Sequence, residues 1–407
     1  MPRSCEPLTK IMKTGKSVVC AAVALLAALV VNTGLARADD TYSQLTTIPV
    51  TANPDTVNCP GASTSLGHFD ISWFDSILGV YLLADRTNCS LDVFDANTNK
   101  QLFAVGGFSG QQGTNNDISG PDGVLTANGR YAFVGNGDST VKVVDLFQQS
   151  IIASVATGPT SDNRADEMAL DPKDHMIIVA NDAPTAPVQP FVTFISTTPG
   201  YGILGQITFP NAAGGLEQSV YSSKTGLFYI AVPAVGTATS PGEIAVISPK
   251  KKKIIGHIPL TNCQPAGLAL GPNLEAMVGC SNGPVQIVSL KILDTKEKPL
   301  ATFKTLGKAD EVWFNKGSRQ YFVASGSNTV KIGTKTIPKP VLGIVNADTH
   351  ALDQLIPTTV GDHSVAADAD LNHIFLPDTS TVPPKPAKPG CGCVKVFNVT
   401  GEAVAAK

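Results

Sequence analysis

One pattern recurs seven times along this chain, and it constrains the fold more than any other feature. A short apolar strand leads into a turn, and a second apolar strand follows, ending in small or polar residues. The units read FDISWFDSILGVYLLAD from Phe69, PDGVLTANGRYAFVGN from Pro121, DEMALDPKDHMIIVAND from Asp166 and LEQSVYSSKTGLFYIAVP from Leu216. They continue as PAGLALGPNLEAMVGCS from Pro265, DEVWFNKGSRQYFVASG from Asp310 and HSVAADADLNHIFLPDT from His363. Their second residues, Asp70, Asp122, Glu167, Glu217, Ala266, Glu311 and Ser364, are separated by 52, 45, 50, 49, 45 and 53 positions, a mean of 49. Between the units lie further β-type runs: Thr140 to Asp145 and Ile151 to Val155 in the second, Ile244 to Ile247 and Ile254 to Ile258 in the fourth. A period of about 40–50 residues with four strands per unit belongs to a propeller blade. The chain therefore reads as all-β, a seven-bladed β-propeller with its hydrophobic core between blades.

A ring of blades must close or leave an open edge. The last unit supplies Val394 to Phe397 as a third strand and then runs out, while Tyr42 to Val50 is strand-like and precedes the first complete unit. The N-terminal stretch is expected to complete the last blade.

The first 38 residues stand apart. Lys13 and Lys16 precede an apolar run from Val18 to Val31, and Ala36-Arg37-Ala38 forms a small-x-small site before Asp39-Asp40. This is the layout of a cleaved signal peptide, with Met1 or Met12 as the start, and it gives residues 1–38 as leader and 39–407 as one propeller domain. The run is too short for a membrane span of about 20 residues. Export to a periplasmic or extracellular compartment is the expectation. The remainder carries 25 basic against 32 acidic side chains, a net charge of −7, which argues against nucleic acid as partner. The one basic run, Lys250 to Lys253, falls between two strands and reads as a solvated turn. A monomer is expected.

Six cysteines follow the leader, an even number that suits disulfides in an exported chain. Cys59 and Cys89 flank the first inner hairpin and Cys263 and Cys280 the fifth, so each pair is placed to close locally. Cys391-Gly392-Cys393 leaves three readings open: a strained local bridge, free or exchanging thiols, and a copper site.

The register also aligns acids. Asp70, Asp122, Glu167, Glu217 and Glu311 occupy equivalent positions at the start of the innermost strand, where propeller residues face one mouth of the axial channel. Asp166, Asp310 and Asp362 lie adjacent, with His68 and His363. Crowded carboxylates raise each other's pKa unless a cation neutralises them, and a divalent ion, calcium or magnesium, suits an all-oxygen shell. The alternative is that these acids cap turns and bond to backbone amides of the next blade. His68 and His363 fall in the first and seventh units, neighbours in a closed ring, and are the candidate general bases. Trp73 and Trp313 read as core. No nucleophile elbow, zinc helix, P-loop or dinucleotide fingerprint is present.

The second unit, with its Pro121-Asp122-Gly123 opening, Asn128-Gly129-Arg130 turn and Tyr131 to Asn136 strand, resembles the YVTN-type repeat. That repeat belongs to the wider group of NHL-like and lactonase-like propellers. The resemblance implies a metal-assisted hydrolase, lactonase or lyase acting on a small molecule at the mouth. The Asn ligands typical of lactonase calcium sites are missing from the aligned ring. A non-catalytic propeller binding a ligand or a protein stands as the alternative.

Overall fold

Each repeat folds as an antiparallel four-stranded sheet because its middle strands are apolar on both faces and its fourth strand on only one. In the second blade, Val124–Ala127 is wholly buried, whereas the outer strand Ser150–Ala156 alternates between partly buried and exposed residues. Lys253–Pro259 alternates in the same way at the rim of the fourth blade. Aspartates end many of the strands. The Asp75 carboxylate accepts hydrogen bonds from the Ile77 and Leu78 amides at 2.8 and 2.9 Å, and Asp145 and Asp171 repeat the device.

The computed structural model describes residues 41–158, 164–182, 189–291, 298–381 and 388–400. The leader read from the sequence lies outside them, as does part of the proline-rich segment before Cys391. Among the described residues, seven four-stranded sheets follow one another around a ring. Their innermost strands are Ser72–Asp75, Val124–Ala127, Ala165–Asp171, Ser219–Ser222, Gln264–Leu270, Val312–Asn315 and the short Ala366–Ala367. The sixth blade carries an additional hairpin, Thr329–Ile332 with Lys335–Pro338, between its second and third strands. No helix among the described residues is long and apolar enough to cross a membrane.

The ring closes as the sequence suggested. Tyr42–Pro49 pairs with Cys393–Val399, from Tyr42 opposite Val399 to Pro49 opposite Cys393, and so forms the outer strand of the seventh blade. Buried Tyr42 fastens this seam: its hydroxyl bonds to the Gln320 side chain at 3.0 Å and its ring meets Phe322 edge-on.

Seven apolar clusters fill the seven spaces between neighbouring blades. Leu82, Leu91 and Val93 of the first blade meet Ala132, Val134 and Val144 of the second. Tyr81, Leu83 and Phe94 meet Phe375 and Val396 of the seventh. Towards the axis the blades approach backbone to backbone. A Cβ on Gly123 would lie 2.3 Å from the Asp166 carbonyl oxygen, and one on Gly267 2.0 Å from that of Asp310. These glycines let the start of one inner strand press against the start of the next, which crowds the acids beside them.

Candidate functional site

Crowding of the inner-strand starts produces a cavity of about 500 Å³ at one mouth of the channel. Of the five aligned acids, Asp70, Glu167 and Glu217 line it, joined by Asp166 and Asp310. Asp122 and Glu311 are withdrawn into the packing between blades. His68 and His363 both line the cavity, so the expected meeting of the first and seventh units takes place. Deeper in the ring, Trp73 and Trp313 meet edge to face at 5.3 Å, and the Trp73 indole donates to Thr126 Oγ1 at 3.0 Å.

Two arginines, not anticipated from the sequence, divide the acids into two groups. Arg86 follows the second strand of the first blade, and its side chain is 4% exposed. Its guanidinium donates to Asp70 at 2.6 Å, to Asp122, and to the Pro121 carbonyl at 3.3 Å. Arg164 precedes the inner strand of the third blade and lies 2.7 Å from Asp166 and 3.6 Å from Asp182. Burial raises the Asp70 carboxyl, but Arg86 and then His363 outweigh it and hold the group well below the usual carboxylate range. For Asp122 burial wins over the same arginine, and the carboxyl is pushed up to about 7.

The second group has no such partners. Among the described residues, none makes a hydrogen bond or ion pair to Glu167, which is 3% exposed, or to the half-buried Glu217 and Asp310. Burial, and then the neighbouring acids, push Glu167 and Glu217 well above the carboxylate range. Burial raises Asp310 too, against the opposing pull of His363. Glu311 behaves differently because it is satisfied. The Ser364 hydroxyl and the Val365 amide, the latter at 2.9 Å, donate to its Oε2, while burial still lifts it to about 8. Bonding to the next blade is the turn-cap behaviour considered for all five acids, and it is found here.

His363 stacks on Phe69 with centroids 4.7 Å apart, donates from Nδ1 to the Gly361 carbonyl at 2.7 Å, and turns Nε2 towards Asp70 at 3.5 Å. Burial lowers its pKa, but Asp70 and Asp310 prevail and raise it to about 9. At neutral pH it is an imidazolium, the form that donates a proton or pairs with an anion. His68 goes the other way, lowered by partial burial and then by Arg86. The remaining histidines near carboxylates lie elsewhere: His257 bonds to Glu243 and His350 to Glu275.

A calcium or magnesium ion needs several oxygens about 2.0–2.6 Å from one centre. The acids of the mouth do not bring three ligand atoms within 4.8 Å of one another. Among the described residues the one such grouping is Asp378 with Cys391 and Cys393, whose sulfurs are bonded to each other. As folded, the described carboxylates of the mouth are not gathered into a three-ligand shell, and no chemical step is routed through a metal.

No protein-family model and no curated protein matches the chain. Among solved structures, that of U3-55K superimposes with a TM-score of 0.60 at 11% sequence identity, over 82% of this chain and 98% of that one. At such identity the likeness is one of fold. The chain is a seven-bladed β-propeller. The locally paired cysteines agree with this frame. Cys59–Cys89 and Cys263–Cys280 are bridged, each beside its own blade's inner hairpin, and Cys391–Cys393 closes as well. Lys250 to Lys253 are all exposed at the turn between Glu243–Ser248 and Lys253–Pro259.

Proposed function

We propose that this propeller is a binding protein whose channel mouth takes a small, positively charged organic molecule. The observation behind this reading is the unequal division of charge around the cavity. One side is neutralised internally by Arg86 and Arg164. The other presents Glu167 and Glu217 to the cavity with no protein hydrogen bond or ion pair among the described residues, beside Asp310, which feels the charge of His363. A buried carboxyl that no protein group satisfies is costly unless something else supplies the bond. An alkylammonium group donates up to three hydrogen bonds in directions it can choose. It can thus serve dispersed oxygens that do not close into a metal shell. A volume of about 500 Å³ admits a molecule of metabolite size.

Titration calorimetry with 1,4-diaminobutane and with tetramethylammonium at low ionic strength tests the reading. The diamine should bind saturably, and Glu167→Gln or Glu217→Gln should weaken it at least tenfold while leaving the melting transition in place. Absence of any amine binding at millimolar concentration, or binding indifferent to both substitutions, refutes the proposal. Saturable binding of calcium or magnesium in place of the amine returns the metal-assisted reading.

A catalytic reading has one observation in its favour: the His363 imidazole, its pKa raised to about 9, and carboxyls whose pKa burial pushes up share one cavity, so groups that can donate a proton stand beside a bound molecule. In that reading the protein is a hydrolase or lyase in which His363 acts as acid and His68 accepts the proton. Kinship with YVTN-type propellers rests on the repeat motifs. Export rests on the leader sequence, with which the disulfides are compatible.

A further inference from the structure

We propose that Cys391-Gly392-Cys393 is a thiol–disulfide exchange site, separate from the mouth and independent of what binds there. The three bridges of this protein are unequal. Cys59, Cys89, Cys263 and Cys280 are between 0 and 6% exposed, and their bridges span 30 and 17 residues of chain. Cys391 is exposed, while Cys393 is 6% exposed and begins the buried strand Cys393–Val399. Exchange proceeds by attack of a thiolate on one sulfur, so access to that sulfur decides which bridge reacts. Among these six, access is offered at Cys391.

Stability does not account for the bridge. Its cysteines are two positions apart, so the chain holds them close with or without the covalent bond, and closing so short a loop removes little freedom from the unfolded state. Polar contacts fix the backbone around it instead. The Cys391 amide donates to Asp378 Oδ2, and Lys395 Nζ holds Oδ1 of the same carboxylate at 2.8 Å. The Gly392 carbonyl accepts from the Leu66 amide at 2.9 Å. Gly392 has φ +64, and a Cβ there would lie 2.3 Å from Ser65 Oγ, so the reversal between the cysteines requires glycine. None of these contacts involves sulfur. They persist when the S–S bond opens and keep the two thiols positioned to close again.

The reaction partner is a dithiol. One thiolate of the donor attacks Cys391 Sγ; the Cys391–Cys393 bond breaks, and Cys393 Sγ leaves with the electron pair and takes up a proton. The second donor thiolate then attacks its own sulfur in the mixed disulfide and expels Cys391 as thiolate, which is protonated in turn. The donor is oxidised to a disulfide, and two electrons and two protons arrive at the cysteine pair.

The full chain, equilibrated in glutathione buffers of graded ratio, then acid-quenched, alkylated and mapped by mass spectrometry, reports the redox state of each pair. Cys391–Cys393 should open at a reduced-to-oxidised glutathione ratio at least tenfold below that needed for either other bridge. In Cys393→Ser, glutathione should be trapped on Cys391; in Cys391→Ser, the buried Cys393 should remain unmodified under the same exposure. Opening of all three bridges together, or survival of Cys391–Cys393 after the others have gone, overturns the proposal. So does equal trapping in the two variants. The wild-type titration decides the matter even if a variant folds poorly.

Discussion

Replacing Arg86 with methionine keeps most of the side-chain volume and deletes the positive charge from between two carboxylates. The Arg86 side chain is 4% exposed, that of Asp122 0% and that of Asp70 12%, so water cannot take over the role of the guanidinium. Removing one partner from a buried ion pair costs about 3–5 kcal/mol, because the charge left behind remains desolvated. Unfolding the roughly 340 described residues carries an entropy of about 0.7 kcal/mol/K near the midpoint. The Arg86→Met variant should therefore melt about 4–7 °C below the wild type at pH 8, a shift readable from the fluorescence of the two tryptophans, Trp73 and Trp313.

The pH dependence is the sharper test. In the wild type Asp70 is depressed, so the stability it contributes is present above its unfolded value of about 3.9 and is lost only as pH falls through its folded value. Asp122, at about 7, binds a proton in the folded state that the unfolded chain has released, so it costs stability as pH rises from about 4 to 7. Without Arg86 both carboxyls move upward and both follow the second pattern. The deficit of the variant should be largest near pH 8 and shrink steadily towards pH 5. Replacing all three members, as Arg86→Met with Asp70→Leu and Asp122→Leu, should recover most of the loss, since no charge is left stranded. A deficit that is flat with pH, or that grows on acidification, would falsify the assignment of Arg86 as the counter-charge of these acids.

Glu311, raised to about 8, keeps a proton in the folded state that the unfolded chain releases above about 4.3, so wild-type stability should fall from about pH 4 to 8 while Glu311→Gln stays flat; the variant should gain on the wild type across that window and the difference level off above about pH 8, read by denaturant titration. Removing the Cys59–Cys89 or Cys263–Cys280 bridge as a serine pair should cost about 3–4 kcal/mol in the same assay, and removing Cys391–Cys393 no more than about 1 kcal/mol, in line with loop length. Tyr42→Ala should cost about 3–5 kcal/mol through loss of the buried ring and its bond to Gln320; a loss under 1 kcal/mol means that the seam does not hold the ring closed. Amine affinity at the mouth should rise with pH as the raised carboxyls ionise, and an affinity that falls as pH rises excludes Glu167 and Glu217 as its ligands.

The fold was legible because its signal is periodic. Seven inner hairpins at a spacing near 49 residues leave few alternatives, and the unmatched strand at each end points to closure. The same register placed the acids at the inner-strand starts. What each acid does was not legible, since that depends on residues outside the repeat. Arg86 stands where the next two units have Gly137 and Asp182, and Arg164 precedes its unit altogether. One signal was available. After residue 38 the chain holds four arginines, and two of them, Arg130 and Arg319, pair with Asp145 and Asp348 beside exposed turns. The other two lie beside the acid-rich unit starts, so a buried counter-charge was open to inference. Glu311 was misplaced for a similar reason. Its partners Ser364 and Val365 belong to the next unit, and spacing alone does not say whether a carboxyl turns to the channel or to its neighbouring blade.

Proton and cation occupancy at the mouth are two outcomes of one balance. Glu167 and Glu217 are raised because burial and the neighbouring acids disfavour their charged forms, so with nothing bound the neutral forms are favoured. A cation placed between them offsets the repulsion and supplies hydrogen bonds that no protein group makes. Its binding must expel protons, and its affinity is reduced by the work of removing them. Asp70, held ionised by Arg86 and His363, undergoes no such change. The mouth thus has a fixed side, whose charge is set by the protein, and an adjustable side, whose charge is set by pH and by what is bound. A neutral ligand gains nothing from ionising the adjustable carboxyls, and an anion meets them as repulsion once they ionise, although Arg86, Arg164 and His363 line the same cavity on the fixed side. Discrimination in favour of cations follows from this asymmetry and needs no metal to produce it.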